Sequence, residues 1–470
     1  MFKVFLSYFA LKAVNVVISI FGIYILTREM SPYEYGIYSY GLTFLIVISA
    51  ILFEWIASSV ARFYPSNPSS ILSTSIMVYL RETSILFFVG FFILLIFILF
   101  EISILEQYNY FYIFLVISAF SILGGYSIYA QLLNSREKVF LYNALNALRQ
   151  SLSIGAALIM IYFGFNAEYY YLSFAAGSIL AVFFIIVVNK RNTKPVIVNL
   201  NNFKIEKSFY SYGVPVSILF ASILIIDFSD RIFISYFLSY EQLAIYSASY
   251  DLIQKTFGAI LGIAYIAYFP RIVSYWESQE KSKSKLLLSN LFYIVFILGT
   301  YICIFIFVSY DYLSLLIGEE IRQTPIHLAP LIAIGILFGA LKFYVLDIDF
   351  KLTNNILLLI KISVIMILFN LIANYISIPL FGILGAAAST ALTFFLGSIT
   401  AYFFSSRIIP KKTFIYLVLK VLFALVSAFF LNAFIVYYFD ISAIFESLLL
   451  ALIFTLLLFF LKIKQYYVSM

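Results

Sequence analysis

Residues 31–39 read SPYEYGIYS, and a related stretch, SYEQLAIYS, stands 208 residues later at residues 239–247. Each copy lies between two long apolar segments, and the segment after each copy ends in an aromatic–proline pair, at residues 64–65 and 269–270. Six apolar segments separate the two copies. Because six is an even number, the copies have the same orientation, which predicts two parallel repeats related by an axis along the membrane normal.

The composition of the chain excludes a water-soluble protein. Of its 470 residues, 64% are hydrophobic and 11% are charged, whereas ordinary globular chains contain roughly 45–50% and about 25%. So few charges could not cover a soluble protein of this size. We therefore expect a polytopic membrane protein, and we exclude a secreted domain, a nucleic-acid-binding protein and a single-span receptor. The single cysteine and single histidine argue against disulfides and metal clusters, so we predict no cofactor and no metal.

Fourteen segments are long and apolar enough to cross the hydrocarbon core, which takes about 20 residues of helix. The sequence therefore predicts an all-α fold with 14 transmembrane helices and no loop large enough for a catalytic domain. The predicted spans are residues 4–26, 38–60, 82–102, 109–133, 143–163, 168–188, 210–237, 243–270, 286–309, 326–346, 356–378, 382–405, 414–438 and 443–463.

The distribution of lysine and arginine predicts that both termini are cytoplasmic. With the N-terminus inside, the inner loops and tails hold 22 of the 29 cationic residues, the outer loops hold 3 and the spans hold 4. Cytoplasmic loops are enriched in these residues. The inner set includes Arg149 and Lys342, and the outer set is Arg28, Arg231 and Arg322. We expect a multi-pass protein of a bacterial or archaeal cytoplasmic membrane.

The repeat divides the chain into groups of six, six and two helices. We predict an N-terminal lobe at residues 1–188, a basic cytoplasmic linker at 189–209 and a C-terminal lobe at 210–405. Residues 406–470 are expected to hold helices 13 and 14, outside the repeat, and a cytoplasmic tail.

Several stretches follow one another in the order of a known family. They are residues 25–38 (ILTREMSPYEYGIY), 212–215 (YGVP), 230–234 (DRIFI) with 244–250 (AIYSASY), and Asn370 with 378–390 (IPLFGILGAAAST). Together they resemble the polysaccharide-unit (O-antigen or capsule-type, Wzx-like) flippases. This family belongs to the superfamily that includes multidrug antiporters and the lipid II flippase.

The resemblance implies a flippase and no enzymatic chemistry. Its substrate would be an isoprenoid-diphosphate-linked oligosaccharide, moved from the cytoplasmic to the outer leaflet by alternating access of two lobes around a central cavity. The implied partners are this lipid-linked oligosaccharide, membrane lipids, and a polysaccharide polymerase and glycosyltransferases; nucleic acid is not among them.

Ionisable residues inside spans cost roughly 2.5–3.5 kcal/mol at the helix centre, so we expect them to face a cavity or a partner. Lys12 lies midway along helix 1, and Asn15, Ser19 and Gly22 share its face, which predicts a polar stripe that lines the cavity. Cations bind diphosphate. The predicted substrate-binding residues are Lys12, Asn15, Arg28, Arg231, Lys255 and Lys361. The alternative for Lys12, Arg28 and Lys361 is that they snorkel to headgroups.

Four acidic residues are predicted to carry a coupling ion, namely Glu54, Asp227, Asp230 and Asp251. The i,i+4 spacing of Asp227 from Arg231, and of Asp251 from Lys255, allows ion pairs. Each pair either cancels its own insertion cost or belongs to a cavity wall whose acids release the substrate or bind a coupling ion. Both interpretations stay open.

Two other functions remain as alternatives. The acidic residues also suit a cation-coupled antiporter of drugs or small molecules with the same fold. A membrane enzyme of polysaccharide assembly would need a large outer loop with clustered catalytic residues, and the chain has none. It also has no Walker A motif, which argues against ATP hydrolysis.

Overall fold

A computed structural model of the chain describes residues 2–65, 68–99, 110–189, 207–323, 325, 327–353 and 355–405. These residues are helical almost throughout, and they contain no strand, which confirms the all-α prediction. Predicted helices 13 and 14, and most of the predicted linker, lie outside the described residues.

The described part of the chain forms twelve helices, α1 to α12. Their bounds are α1 Phe2–Glu29, α2 Pro32–Phe63, α3 Pro68–Leu99, α4 Tyr110–Ser135, α5 Val139–Tyr162, α6 Ser173–Asn189, α7 Lys207–Phe237, α8 Tyr240–Glu277, α9 Lys281–Ser314, α10 Leu328–Leu352, α11 Ile356–Phe381 and α12 Ile383–Phe404. Within these residues, 11 segments have the length and apolarity of a membrane span, and they correspond to predicted helices 2 to 12. Predicted helix 1 is present as α1.

Two helices contain a π-helical stretch that the apolar pattern does not reveal. In α8 it covers Gln254–Gly258, and in α10 it covers Lys342–Leu346. Such wide turns are rare and occur frequently at functional sites. Both stretches contain a lysine, so each widened turn coincides with a charge inside a span.

The repeated stretch forms a helix start in both copies. In the first copy, the Ser31 side chain accepts a hydrogen bond from the Glu34 main-chain N–H, and the Glu34 carboxylate accepts one from the Ser31 N–H at 2.8 Å. In the second copy, the Ser239 hydroxyl accepts from the Gln242 N–H at 3.3 Å. Such caps satisfy N–H groups that have no partner within the helix.

The chain consists of two compact units, residues 1–244 and 245–470. In the first unit, α1 packs on α5, α5 on α6, and α2 on both α4 and α7; in the second, α12 packs on α10 and α11. The unit boundary follows α7 because that helix packs on α2. The lobe division at the linker stays a prediction.

The packing of α1 and α5 shows that these two helices are parallel. Ser19 and Gly22 of α1 contact Gln150 and Ile154 of α5, so residue numbers rise together along both helices. The helices α2 and α7 are antiparallel by the same criterion. These directions agree with a chain whose consecutive spans alternate. The side of the membrane that holds the termini stays a prediction.

Gly36 allows α2 to approach the start of α8 closely. A Cβ atom on Gly36 would collide with the main-chain carbonyl of Tyr240. The rings of Tyr33 and Tyr40 pack edge-to-face on the Tyr240 ring, with centroids 5.6 and 6.1 Å away. The two copies of the repeated stretch are therefore in direct contact here.

Gly36→Ala is expected to lower the melting temperature of the detergent-solubilised protein, because the added methyl group meets rigid main chain. Gly155→Ala is the matched control, since no atom lies within 4 Å of a Cβ at Gly155. Removing this helix-interior glycine should stabilise the protein by about 0.5–1 kcal/mol. Thermal unfolding followed by size-exclusion chromatography measures both. A G36A protein that melts with or above the wild type would contradict the close approach.

Candidate functional site

The predicted polar stripe on α1 divides into a packed part and a partly exposed part. The Ser19 hydroxyl has two acceptors within reach for its one proton, the Gln150 side-chain oxygen at 2.8 Å and the Asn15 carbonyl at 2.9 Å. Gly22 packs against α5. Small residues allow close helix packing, so Ser19 and Gly22 form a helix interface. The expectation that the stripe lines a cavity stays a prediction. Lys12 and Asn15 remain partly exposed.

Arg149 lies inside α5, within the predicted span 143–163, and its assignment to the inner loops is wrong. The helix begins ten residues earlier, at Val139, which places Arg149 about 15 Å along its axis. The guanidinium carbon lies 4.4 Å from the Tyr126 ring centroid and 4.7 Å from that of Phe174. Its Nε atom is buried and has no hydrogen-bond acceptor among the described residues. Two aromatic faces therefore hold this cation in place of a carboxylate.

Lys12 and Arg149 lie on two helices, α1 and α5, that are parallel and pack on each other. Ser19 lies opposite Gln150, so Arg149 stands at the level of Ser19. Lys12 is seven residues from Ser19, which is about 10 Å along the axis. The first unit thus holds two intramembrane cations, with Asn15 at a level between them on α1 and Gln150 next to Arg149 on α5. These four residues, Lys12, Asn15, Arg149 and Gln150, are the candidate site and are called the α1–α5 site below.

Arg28 lies away from this site. It is exposed at the end of α1, where its guanidinium donates to the Tyr24 carbonyl at 2.9 Å and lies 3.7 Å from the Tyr24 ring centroid. Sixteen residues of helix, or about 24 Å, separate it from Lys12. A cation in the last turn of a helix is favoured by the helix dipole. Arg28 and Lys12 therefore cannot bind the same phosphate group.

Arg231 is a buried residue of α7, and its assignment to the outer loops is wrong. Its side chain is 2% exposed. The guanidinium donates to the hydroxyls of Ser39, at 3.0 Å, and Thr43, at 3.4 Å, on α2, and it lies 4.9 Å from the Phe228 ring centroid. Arg231 thus connects α7 to α2. Asp230, beside it, is also buried.

The other predicted residues are spread over both units. The predicted ion pair of Asp251 with Lys255 is confirmed, with 3.4 Å between carboxylate and ammonium, and the lysine lies in the π-helical stretch of α8. Lys361 is exposed on α11, whereas Glu54 on α2 and Asp227 on α7 are partly buried.

The second unit contains a buried ion pair that sequence reasoning missed. Lys342 is 0% exposed and pairs with Asp347 inside α10, so its predicted inner-loop position is wrong. The two residues are five apart. In a π-helical turn the main-chain hydrogen bonds join residues that are five apart. The helix α10 has such a turn at Lys342–Leu346. Only the cluster of Lys342, Asp347, Asp349 and Lys351 in the sequence could have indicated this pair.

A buried polar ladder joins α11 to α12. The Asn370 amide donates to the hydroxyls of Thr390 and Thr393, each at 3.3 Å, and the Asn374 amide donates to the Asn370 carbonyl oxygen at 3.3 Å. Both asparagines are fully buried. Hydrogen bonds between polar side chains hold membrane helices together, which gives Asn370 of the family-like stretch a structural role.

Asp347→Asn is expected to destabilise the protein by roughly 3–5 kcal/mol, because Lys342 would stay buried without a carboxylate. The double variant K342M/D347L removes both charges at similar volume and should recover most of that loss. Unfolding in denaturing detergent measures the difference. If D347N is as stable as the wild type, the pair is not buried as described.

Arg231→Ala is expected to reduce the yield of folded protein, because it removes the hydrogen bonds to Ser39 and Thr43. Arg28→Ala is the matched control, since this side chain is exposed and its acceptor is its own helix. Size-exclusion profiles of the two variants provide the comparison. Equal yields would contradict the packing role of Arg231.

Residues 2–276 match the family model described as polysaccharide biosynthesis protein. An uncharacterized membrane protein from Methanocaldococcus jannaschii is 27% identical over 293 residues, which are 59% of this chain and 56% of the relative. The chain therefore spans about half the length of the curated relative that it matches.

Two solved structures share the fold of most of the chain. The lipid II flippase MurJ, in an inward closed conformation, has a TM-score of 0.72 at 15% identity, over 96% of this chain and 98% of that chain. An inward-facing multidrug resistance MATE family transporter of the MOP superfamily has a TM-score of 0.58 at 14% identity, over 83% and 93%. At such identities the likeness shows the fold alone. With its family model matched over more than half of its length, the chain belongs to the polysaccharide biosynthesis protein family, as the sequence motifs predicted.

Proposed function

We propose that this protein is a flippase that moves isoprenoid-diphosphate-linked oligosaccharides across the cytoplasmic membrane for surface polysaccharide synthesis. Membership of the polysaccharide biosynthesis family supports a role with such precursors. The fold shared with a lipid II flippase supports a flippase mechanism. The observation that carries the proposal is the α1–α5 site, where two intramembrane cations have no carboxylate partner among the described residues.

The chemistry of this site fits a diphosphate that bears sugars. The Arg149 guanidinium lies close to two aromatic rings, and its planar set of donors suits the oxygens of a phosphate. Lys12 adds a point charge about 10 Å away, a separation that suits a head group rather than a single phosphate. The amide groups of Asn15 and Gln150 are hydrogen-bond partners for sugar hydroxyls. Binding the head group through these contacts and moving it across the membrane breaks no covalent bond. The proposed protein is therefore a transporter and not an enzyme.

The remaining predicted residues have proposed roles at other stages of transport. Arg28 at the end of α1 would receive the head group about 24 Å farther along the helix. Lys255 and Lys361 would bind it in the second unit. The proposed ion-coupling residues are Glu54, Asp227, Asp230 and Asp251. The central cavity, the two lobes, the cytoplasmic termini, and a polymerase and glycosyltransferases as partners belong to the same proposal.

A cation-coupled antiporter is the second candidate. Its support is the fold shared with a multidrug MATE transporter together with acidic residues inside the spans. An antiporter would export small cationic compounds, which the uncompensated positive charges of the α1–α5 site disfavour.

The decisive experiment uses the full chain in liposomes that contain a fluorescent polyprenyl-diphosphate oligosaccharide. Dithionite bleaches only the outer leaflet, so its slow phase reports flipping. We expect the wild type to accelerate flipping over empty liposomes and K12A/R149Q to slow it at least tenfold. K283A, an exposed lysine of α9, should act as the wild type does.

Equal acceleration for fluorescent phosphatidylglycerol would show unselective scrambling and contradict the proposal. So would wild-type rates in K12A/R149Q. Drug efflux by cells that express the protein, without lipid flipping in liposomes, would favour the antiporter.

A further inference from the structure

A second group of cations surrounds the place where α2 and α4 end and α7 begins. Each of three arginines has its guanidinium carbon over a tyrosine ring, at 6.0, 5.8 and 5.3 Å from the centroid. In the same order, the arginine–tyrosine pairs are Arg62 with Tyr212, Arg81 with Tyr210, and Arg136 with Tyr64. These six residues are called the arginine–tyrosine patch below.

The residues of the patch pack on a buried hydrophobic core. A hydrophobic core beneath it includes Trp55 of α2, Ile71 of α3, Leu132 of α4 and Phe209 of α7, all buried. The Tyr210 ring stacks on Trp55, with centroids 4.9 Å apart. The Arg136 Nε donates to the Tyr64 hydroxyl at 2.7 Å. Side chains from four helices are therefore held together by packing that does not depend on any ligand.

The charges of the patch are only partly compensated. Arg81 forms an ion pair with Glu82, and its side chain is 45% exposed. Neither Arg62 nor Arg136 forms an ion pair with any residue that the structure describes. Arg62 is exposed. Cations at the ends of membrane spans attract anionic headgroups.

An apolar stripe runs along α3 away from Arg81. Ile85, Phe88 and Phe92 follow Arg81 at intervals of four, three and four residues, so all lie on one helical face, and all three are exposed. Of the spans in the described residues, α3 is the least buried. Lipid chains therefore have an open surface that begins at the patch.

We propose that the arginine–tyrosine patch binds the phosphate of an anionic membrane phospholipid whose chains lie along the α3 stripe. The guanidinium groups supply paired donors to the phosphate oxygens. From Arg81 to Phe92 the stripe covers about half the length of a span, and its exposure is expected for a surface that faces lipid. A resident phospholipid fits this surface better than a transported head group, which must leave the lipid phase. The proposal does not depend on the proposed transport function.

Native mass spectrometry of the full-length protein in detergent, titrated with phosphatidylglycerol, tests this site. The variant R62Q/R81Q removes two exposed charges and should weaken binding at least tenfold. The matched control is K281Q/K283Q, two exposed lysines beside the Trp276 and Tyr275 rings, which should bind within twofold of the wild type. Glu82→Gln should strengthen binding at least twofold, since it releases Arg81, and misfolding cannot produce a gain.

Three outcomes would overturn the proposal. Equal weakening in both double variants would show general electrostatic attraction rather than a site. Inorganic phosphate that displaces phosphatidylglycerol at similar concentration would show that the α3 stripe contributes nothing. Tighter binding of a polyprenyl diphosphate than of phosphatidylglycerol would identify a substrate site instead. If R62Q/R81Q fails to fold, an unchanged affinity in E82Q is sufficient to reject the site.

Discussion

A charged side chain among apolar helices needs a partner, because no water is available in hydrocarbon to solvate it. Three cations meet this requirement in different ways. Lys342 pairs with a carboxylate in its own helix, Arg231 donates to hydroxyls of α2, and Arg149 lies between rings from α4 and α6. Each interaction also holds part of the helix packing in place. The Lys342 pair holds the π-helical turn of α10, Arg231 holds α7 against α2, and Arg149 holds α5 against α4 and α6. The few charges therefore determine much of the packing.

The fold was predictable in those features that depend only on the membrane, above all the length of the spans. The thickness of the hydrocarbon fixes the length of a span whatever its neighbours are, and spans 2 to 12 were therefore found from apolar length. The helix starts at Ser31 and Ser239 were marked by the repeat. The π-helical stretches that contain Lys255 and Lys342 were not predictable, since a widened turn depends on packing and leaves no period in the sequence.

The candidate site was predictable only up to the choice of a helix face. Helical spacing placed Lys12, Asn15, Ser19 and Gly22 on one side of α1, but that side can meet either a cavity or another helix. The contact of Ser19 with Gln150 joins residues 131 apart, and no local pattern predicts such a pair. Arg149 was missed because its charge was counted with the inner loops, although the predicted span at residues 143–163 already contained it.

The kind of partner separates the cations that are free to bind anions from those that are not. A carboxylate neutralises Lys342, so a phosphate would have to displace Asp347 from a site that is fully buried. Aromatic rings lower the free-energy cost of burying a cation without supplying a countercharge. Arg149 in the membrane and Arg62 at its surface both lie by aromatic rings, and neither forms an ion pair with a carboxylate in the part of the chain that the structure describes. Aromatic rings beside arginine thus occur in both the α1–α5 site and the arginine–tyrosine patch. The depth of each arginine in the membrane determines which ligand it suits. A deep cation suits a head group in transit, and a shallow one beside an exposed apolar stripe suits a lipid that stays.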